Sequence, residues 1–490
     1  MSFTDVAFAF FFPAVLVIHW LLPRRAWAQN GWLLLASWVF YASWSPRLLW
    51  VLLLSTAVDW GLGLILDGER FRPAQRRAAL GLSIAFNVGL LCWFKYEGFF
   101  ASSLDALLGR MGLGAPLPVL ALVAPIGLSF YTFQKLSYVI DVYDTKIPAC
   151  RSPLTFAAFV AFFPQIVAGP IVRGPELLPQ WATARRFDID QLARGASIFL
   201  LGFFKKAFVA DILRDALVDP VFDHPAAFST AGHWVGLVGY AVHLYCDFSG
   251  YSEMAIGAGR MLGLELPVNF NYPFLSKSVA ELWRRWHITL NTWLFEYLYG
   301  PMTTGRGFMR GRLGLGFIVV FLVSGLWHGP RWTYVVWGLL HGLALWAHFR
   351  WDAFYRGLCR KDRRWVARRK TVGYALVAWA GTQAWFVLTL VPFRALTLGD
   401  AGRFLRGLVV PTSGLLLPLA PAPVGRTFIF AVAALFLLVY HLLELPRGQA
   451  IRARLLALPA PVRGVVYGLV IALVYLFMPT GGSTFVYAQF

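Results

Sequence analysis

Ser324-Gly-Leu-Trp-His-Gly-Pro330 is the stretch that decides the fold, because it closes an apolar run that begins at Leu313. The run carries one ionisable side chain, His328, and stops where proline lacks the backbone donor that a helix needs. An ionisable side chain at membrane depth costs a few kcal/mol or more and by default suggests a functional site. The alternative is a histidine that only hydrogen-bonds a neighbouring helix.

The composition of the whole chain indicates a membrane protein. Of its 490 residues, 58% are hydrophobic and 14% are charged, and the mean hydropathy is +0.62. A soluble protein of this length needs far more polar surface. Because a spanning helix satisfies its backbone groups internally and an open sheet does not, we predict an all-α polytopic membrane protein. No soluble domain is evident, so residues 1–490 are interpreted as a single membrane domain.

The net charge of +20 does not indicate nucleic-acid binding. The basic residues cluster in short loops between apolar runs, which is the positive-inside pattern of membrane proteins. The cysteines form no CxxC pair, so the sequence predicts neither a metal site nor a disulfide framework. They are Cys92, Cys150, Cys246 and Cys359.

Apolar runs predict about 11 spanning helices with additional re-entrant pieces, since several runs are shorter than the ~20 residues of a perpendicular span. Basic residues at 24–25, 70–77 and 350–370 place those segments in the cytoplasm. The N-terminus and the tail 479–490 are then extracytoplasmic. The runs lie at 6–22, 31–43, 48–66, 79–94, 117–139, 155–172, 194–212, 233–257, 313–328, 332–349, 372–393, 427–445 and 464–478.

The same charge pattern predicts a re-entrant hairpin around His328. Basic residues precede the run 313–328 and follow the run 332–349, so both flanks are cytoplasmic. The first run rises only about 24 Å as a helix, less than the ~30 Å hydrocarbon core. We therefore expect His328 at the apex of a helical hairpin, deep in the membrane.

A second candidate site lies in Glu281-Leu-Trp-Arg-Arg-Trp-His287. Tryptophans at helical spacing beside Arg284 and Arg285 are typical of an amphipathic interfacial helix. His287 fits that interpretation poorly, and it could instead face a cavity shared with His328. Arg284 and Arg285 are then candidates for binding the phosphates of a nucleotide-bearing donor.

Three further residues are weaker candidates. Asp247 lies in the apolar run 233–257, where helix–helix hydrogen bonding and catalysis are equally open, and His341 suits packing or a supporting role beside His328. The terminal segment Phe485-Val-Tyr-Ala-Gln-Phe490 is either an interfacial anchor or a carrier whose Tyr487 acts as a nucleophile.

Together these segments resemble the membrane-bound O-acyltransferase (MBOAT) family, and within it the bacterial AlgI/PatA/DltB-like subgroup of polysaccharide O-acetyltransferases. The similarity is strongest over residues 120–350. Ala488, Glu253 and Phe295-Glu296 depart from the pattern of the subgroup. The segments that carry the resemblance are Pro125–Gln134, Ser137–Tyr143, Phe163–Ile171, Asp247–Ser252, Trp283–Trp293, Ser324–Gly329 and His341-Gly342.

The resemblance implies a ring of tilted helices around a central funnel in the bacterial inner membrane. It also implies that His328 is essential and His287 close by, with no bound cofactor and with acetyl-CoA as the acyl-donor substrate. The acyl group would cross the membrane, with Tyr487 as a relay, to an extracytoplasmic SGNH-hydrolase-like partner within a polysaccharide biosynthesis complex. Direct acylation of a lipid or protein hydroxyl is an alternative, and a transporter or flippase is another.

Overall fold

The computed structural model describes residues 1–67, 70–113, 122–305, 307–418, 431–432, 435–436, 439–440, 450, 453–454 and 457–477. Throughout these segments the regular structure is helical, apart from one isolated backbone bridge between Phe228 and Leu415. The predicted all-α class is therefore confirmed.

The described chain divides into two compact units. The first comprises Met1–Phe199 with Met254–Pro267, and the second comprises Leu200–Glu253 with Val268–Phe490. The interpretation of residues 1–490 as a single domain stays a prediction. The first ten helices are α1 Val6–Leu21, α2 Ala26–Ala42, α3 Leu49–Leu66, α4 Pro73–Leu91, α5 Glu97–Arg110, α6 Leu128–Tyr143, α7 Pro153–Ala161, α8 Phe163–Ile166, α9 Gly174–Ala182 and α10 Ile189–Phe203.

The later helices supply the candidate site, which lies wholly within the second unit. They are α11 Asp211–Leu213, α12 Asp219–Asp223, α13 Thr230–Met261, α14 Val279–Arg285, α15 Ile288–Leu294, α16 Gly300–Thr303, α17 Leu313–His328, α18 Trp332–Lys361, α19 Arg363–Arg369, α20 Val372–Arg394, α21 Leu398–Val409 and α22 Ala460–Phe477. Short 3₁₀ or π-helical turns lie at Pro46–Leu48, Cys92–Tyr96, Phe204–Ala210, Arg214–Val218, Pro225–Ala227, Pro273–Leu275 and Phe295–Tyr299.

Several helices are apolar enough to cross a bilayer. Among the described residues, four are also long enough: Pro46–Leu66, Pro73–Arg110, Val372–Arg394 and Ala460–Phe477. Shorter apolar helices cover Val6–Leu21 and Leu313–His328. The predicted total of about 11 spans arranged as a ring stays a prediction, and much of the run 427–445 lies outside the described residues.

One predicted run, 155–172, is broken in the structure. It forms α7 and the four-residue α8, with Phe162 between them and no helix over 167–172. The reason is visible in the sequence, because Pro164 lacks a backbone donor and Gly169-Pro170 cannot continue a helix. A continuous helix over this run is therefore ruled out.

The hairpin predicted around His328 is present. The helices α17 and α18 run antiparallel in close contact, because facing positions lack side chains. A Cβ on Gly325 would lie 2.2 Å from the carbonyl oxygen of Tyr334, and a Cβ on Gly338 would lie 2.2 Å from that of Phe321. The predicted second arm, 332–349, was too short: α18 continues to Lys361, about 45 Å in all.

Candidate active site

His328 is the last residue of α17 and is 4% exposed. Aromatic rings surround its imidazole. The ring centroids of Trp327, Trp337 and Phe393 lie 5.0, 5.0 and 5.1 Å from that of His328, all in edge-to-face arrangements. Phe393 comes from α20, so three helices enclose the apex histidine. An apolar enclosure of this kind excludes water, which strengthens any electrostatic interaction with a bound reactant.

His341 lies on α18 and makes hydrogen bonds through both of its ring nitrogens. Its Nδ1 accepts a hydrogen bond from the indole Nε1–H of Trp283 at 3.3 Å. Its Nε2 is 3.0 Å from the hydroxyl of Thr389, which donates its own hydrogen to the carbonyl of Phe386. Nε2 must therefore carry the hydrogen and donate to Thr389. His341 is thus a neutral, fully bonded histidine.

The indole of Trp337 packs against both His341 of α18 and His328 of α17. Its ring centroid lies 4.8 Å from that of His341 and 5.0 Å from that of His328. No described residue offers an acceptor within hydrogen-bonding distance of its buried Nε1–H. The sequence predicts a supporting role for His341 beside His328. In the structure both imidazoles contact the indole of Trp337.

His287 occupies the break between α14 and α15, with φ 44° and ψ 54°. This left-handed conformation costs a non-glycine residue roughly 1–2 kcal/mol. The Nδ1 of His287 lies 3.1 Å from the side-chain oxygen of Asn269, and the residue is 1% exposed. Strained residues cluster at functional sites, which agrees with the candidacy of His287.

Trp327 brings His287 and His328 into one aromatic cluster. Its ring centroid lies 5.9 Å from that of His287 and 5.0 Å from that of His328. Phe248 of α13 covers His287 from another side, at 4.6 Å and edge-to-face. His287 and His328, which are predicted to lie close together, therefore both pack against the indole of Trp327.

Asp247, the other candidate of α13, is buried in an ion-pair cluster. Its carboxylate lies 2.6 Å from the ammonium of Lys206, which is also 2.7 Å from the carboxylate of Asp211. A buried carboxylate needs such a partner, because an unpaired charge there is costly. Asp247 thus anchors α13, the helix that places Phe248 against His287.

With this geometry in place, sequence comparison identifies the family. The model of "MBOAT, membrane-bound O-acyltransferase family" matches residues 146–391. The chain belongs to this family. It is 41% identical to "Probable alginate O-acetylase AlgI" of Azotobacter vinelandii, over 75% of this chain and 72% of that protein. It is 34% identical to "Peptidoglycan O-acetyltransferase" of Helicobacter pylori, over 79% and 75%. It is 26% identical to "Teichoic acid D-alanyltransferase" of Bacillus subtilis, over 50% and 64%.

Family membership makes this MBOAT protein an acyltransferase and a multi-pass membrane protein. The enzyme class, the predicted family and the prediction of a multi-pass membrane protein are thereby confirmed, whereas the inner membrane and the orientation of the termini stay predictions. The roles of the individual residues stay proposals.

The two arginines proposed to bind the donor of this MBOAT chain differ in their surroundings. The guanidinium of Arg285 lies 3.0 Å from the carboxylate of Glu281 and also donates to the backbone carbonyl of Asn271. The side chain of Arg284 is exposed. Of the two, Arg284 is the better placed for a phosphate from outside the protein.

Tyr487 and the rest of the tail 479–490 lie outside the described residues. Sequence reasoning missed Asn269, Lys206 and Trp337. The visible signal for Lys206 was a Lys-Lys pair inside the apolar run 194–212. No sequence pattern marked Asn269 or Trp337.

Proposed function

We propose that this chain transfers an acetyl group from cytoplasmic acetyl-CoA for the O-acetylation of a cell-envelope or exported polysaccharide. Relatives named for alginate and for peptidoglycan O-acetylation support this class of acceptor. Both align over more than 70% of their length.

The observation that carries the proposal is the enclosure of His328 at the apex of the α17–α18 hairpin. We assign His328 as general base toward the acceptor hydroxyl. As its imidazole takes the hydroxyl proton, the oxygen attacks the thioester carbonyl, the C–O bond forms and the C–S bond breaks. The proton then passes to the departing thiolate, so that the products are an acetyl ester and free CoA thiol. General base catalysis of this kind contributes typically 10²–10⁴-fold.

Other residues complete the proposed site. His287 orients a substrate group or stabilises developing charge, Arg284 and Arg285 face the phosphates of the donor, and Asp247 and His341 support the helices that hold the histidines.

The proposed path of the acetyl group crosses the bacterial inner membrane. In this proposal the N-terminus and the tail are extracytoplasmic, and Tyr487 receives the acetyl group. It then passes the group to an SGNH-hydrolase-like partner of a polysaccharide biosynthesis complex. Twelve residues extended reach roughly 40 Å, which is sufficient for the tail to return into the membrane.

The test of His328 uses the full-length chain in a host strain that lacks its own copy. His328→Ala should abolish acetylation of the polysaccharide and leave the amount of inserted protein unchanged. His224→Ala, at an exposed histidine that has no role in the proposed site, is the control and should be active. Normal acetylation in the His328→Ala strain would contradict the assignment.

The relay is tested separately by mass spectrometry of the tail peptide after incubation with isotope-labelled acetyl-CoA. We expect label on the wild-type peptide and none on that of Tyr487→Phe. A wild-type tail that never carries label would refute the relay and leave the assignment of His328 intact.

A further inference from the structure

Asn269 is the centre of the hydrogen bonds around His287. Its side-chain oxygen accepts from the backbone N–H of Thr289 at 3.3 Å and from the hydroxyl of Thr289 at 3.0 Å, in addition to its contact with His287. Its side-chain nitrogen donates to the hydroxyl of Ser252 at 3.2 Å, and its backbone carbonyl accepts from the N–H of Ile288 at 2.9 Å. Asn269 is 1% exposed.

These bonds fix which nitrogen of His287 carries hydrogen. The atom of Asn269 that faces a backbone N–H must be the amide oxygen, because an N–H can only donate. The same oxygen lies 3.1 Å from Nδ1 of His287, and an oxygen without hydrogen can only accept. Nδ1 therefore carries the hydrogen, and in the neutral ring the lone pair is on Nε2.

We propose that Asn269 is a positioning residue that holds His287 as the Nδ1–H tautomer, with Nε2 as a hydrogen-bond acceptor for the bound substrates. The inference rests on the proposed function and separates the two roles given to His287 there. A lone pair on Nε2 repels a developing oxyanion and cannot stabilise it. It accepts instead from an O–H or N–H of the acceptor or the donor, and so orients that group.

The amide of Asn269 carries no charge, so it does not favour the imidazolium of His287 as a carboxylate in its place would. The rings packed against His287, Phe248 and Trp327, carry no charge, and His328 is the titratable group across Trp327. The acidic groups on the neighbouring helices already have cationic partners: Asp247 with Lys206, Glu253 with Lys205 and Glu281 with Arg285. Arg284 is exposed.

The backbone of the same segment also positions His287. Two backbone hydrogen bonds join the segment 269–271 to the break between α14 and α15 and hold His287 in its left-handed conformation. The N–H of Asn271 donates to the carbonyl of Arg285, and the N–H of Ile288 donates to the carbonyl of Asn269, each at 2.9 Å. Asn269 thus fixes the backbone and the ring of His287 from one loop.

The first test replaces the amide with a carboxylate and follows the pH dependence of CoA release from acetyl-CoA by membranes that contain the full-length chain. In Asn269→Asp, the carboxylate accepts the same Nδ1 hydrogen and stabilises the imidazolium, because an opposite charge favours the protonated ring. We expect the acid limb of the rate profile to move to higher pH by roughly 1–3 units. Activity lost at pH 7 should return at alkaline pH.

Two variants control this result. Asn271→Asp introduces the same charge two residues away at an exposed side chain, and its profile should match that of the wild type. Asn269→Ala, which removes the acceptor, should lower kcat on the order of 10–100-fold at every pH, the loss typical when a metal-bound histidine loses its outer hydrogen-bond partner. A profile of Asn269→Asp that superimposes on the wild type would refute the inference.

The second test does not depend on whether these variants fold. Chemical shifts of labelled histidine in the wild-type protein, with the His287 signal assigned from His287→Gln, distinguish the two tautomers. We expect the Nδ1–H form, and an Nε2–H ring would overturn the proposal. His328→Ala is assayed in parallel. If it is inactive while the Asn269→Asp profile is unchanged, the positioning role fails and the proposed function stands. If it is active, the proposed function itself fails.

Discussion

The buried ion pair between Asp59 of α3 and Lys135 of α6 allows a prediction of stability that is independent of catalysis. The two charged groups are 3.2 Å apart and both side chains are 0% exposed. Asp59 also accepts from the hydroxyl of Ser83 at 2.5 Å and from the amide of Asn87 at 2.8 Å. Lys135→Met retains the length of the side chain but leaves the carboxylate with neutral donors alone. Breaking a buried pair from one side costs about 3–5 kcal/mol.

For domains of 150–250 residues, 1 kcal/mol lowers the melting temperature by about 2–4 °C, so we expect a decrease of roughly 6–20 °C. The assay is thermal unfolding of the detergent-solubilised chain, followed by tryptophan fluorescence. The control is Asp59→Asn/Lys135→Met, which removes both charges and should recover most of the loss, because it leaves no uncompensated buried charge. A double variant that melts as low as the worse single variant would refute the reasoning.

Two further predictions concern the donor side and the support of the site. In a steady-state assay, Arg284→Ala should raise the KM for acetyl-CoA with little change in kcat, because a phosphate contact acts equally on the ground state and the transition state. Arg285→Ala, which also removes the ion-pair partner of Glu281, is the comparison in the same assay. Thr389→Val removes the acceptor of the Nε2–H of His341 and should cost about 1–3 kcal/mol of stability, measured as a lower melting temperature; unchanged melting would contradict the assigned bond.

The hairpin could be predicted from sequence because its signals are local. The break at Gly329-Pro330 and the basic flanks define two arms and an apex, and the structure places His328 there. The length of the second arm could not be predicted from the local sequence. The apolar run ends at residue 349, but Asp352 pairs with Arg356 one turn on and with Arg369 of α19, which stabilises the polar extension of α18 to Lys361.

The partners of the candidate residues could not be predicted, because they come from distant parts of the chain. Asn269 meets His287 across eighteen positions, and Lys206 meets Asp247 across forty-one. Both pairings depend on irregular backbone. His287 has a left-handed conformation, and Lys206 lies in the π-helical turn Phe204–Ala210, where the helical period that sequence patterns rely on is lost.

The hydrogen bonds of both ring nitrogens make His341 unsuitable as a general base. A general base must gain and lose a proton in each cycle, and His341 cannot do so without breaking its bond to Trp283 or Thr389. A glutamine at this position offers one acceptor and one donor and can retain both bonds. We therefore expect His341→Gln to keep most of its acetyltransferase activity.

The same substitution at the apex, His328→Gln, removes the only function proposed for that ring and should reduce kcat by 10²–10⁴-fold. Both variants exchange histidine for glutamine in the same aromatic cluster, so a general effect on folding would appear in both and in their melting temperatures. Equal activity loss in two well-folded variants would mean that proton transfer does not distinguish the two histidines. In that case, His341 would belong to the reacting groups, and its bonds to Trp283 and Thr389 would have to open during the cycle.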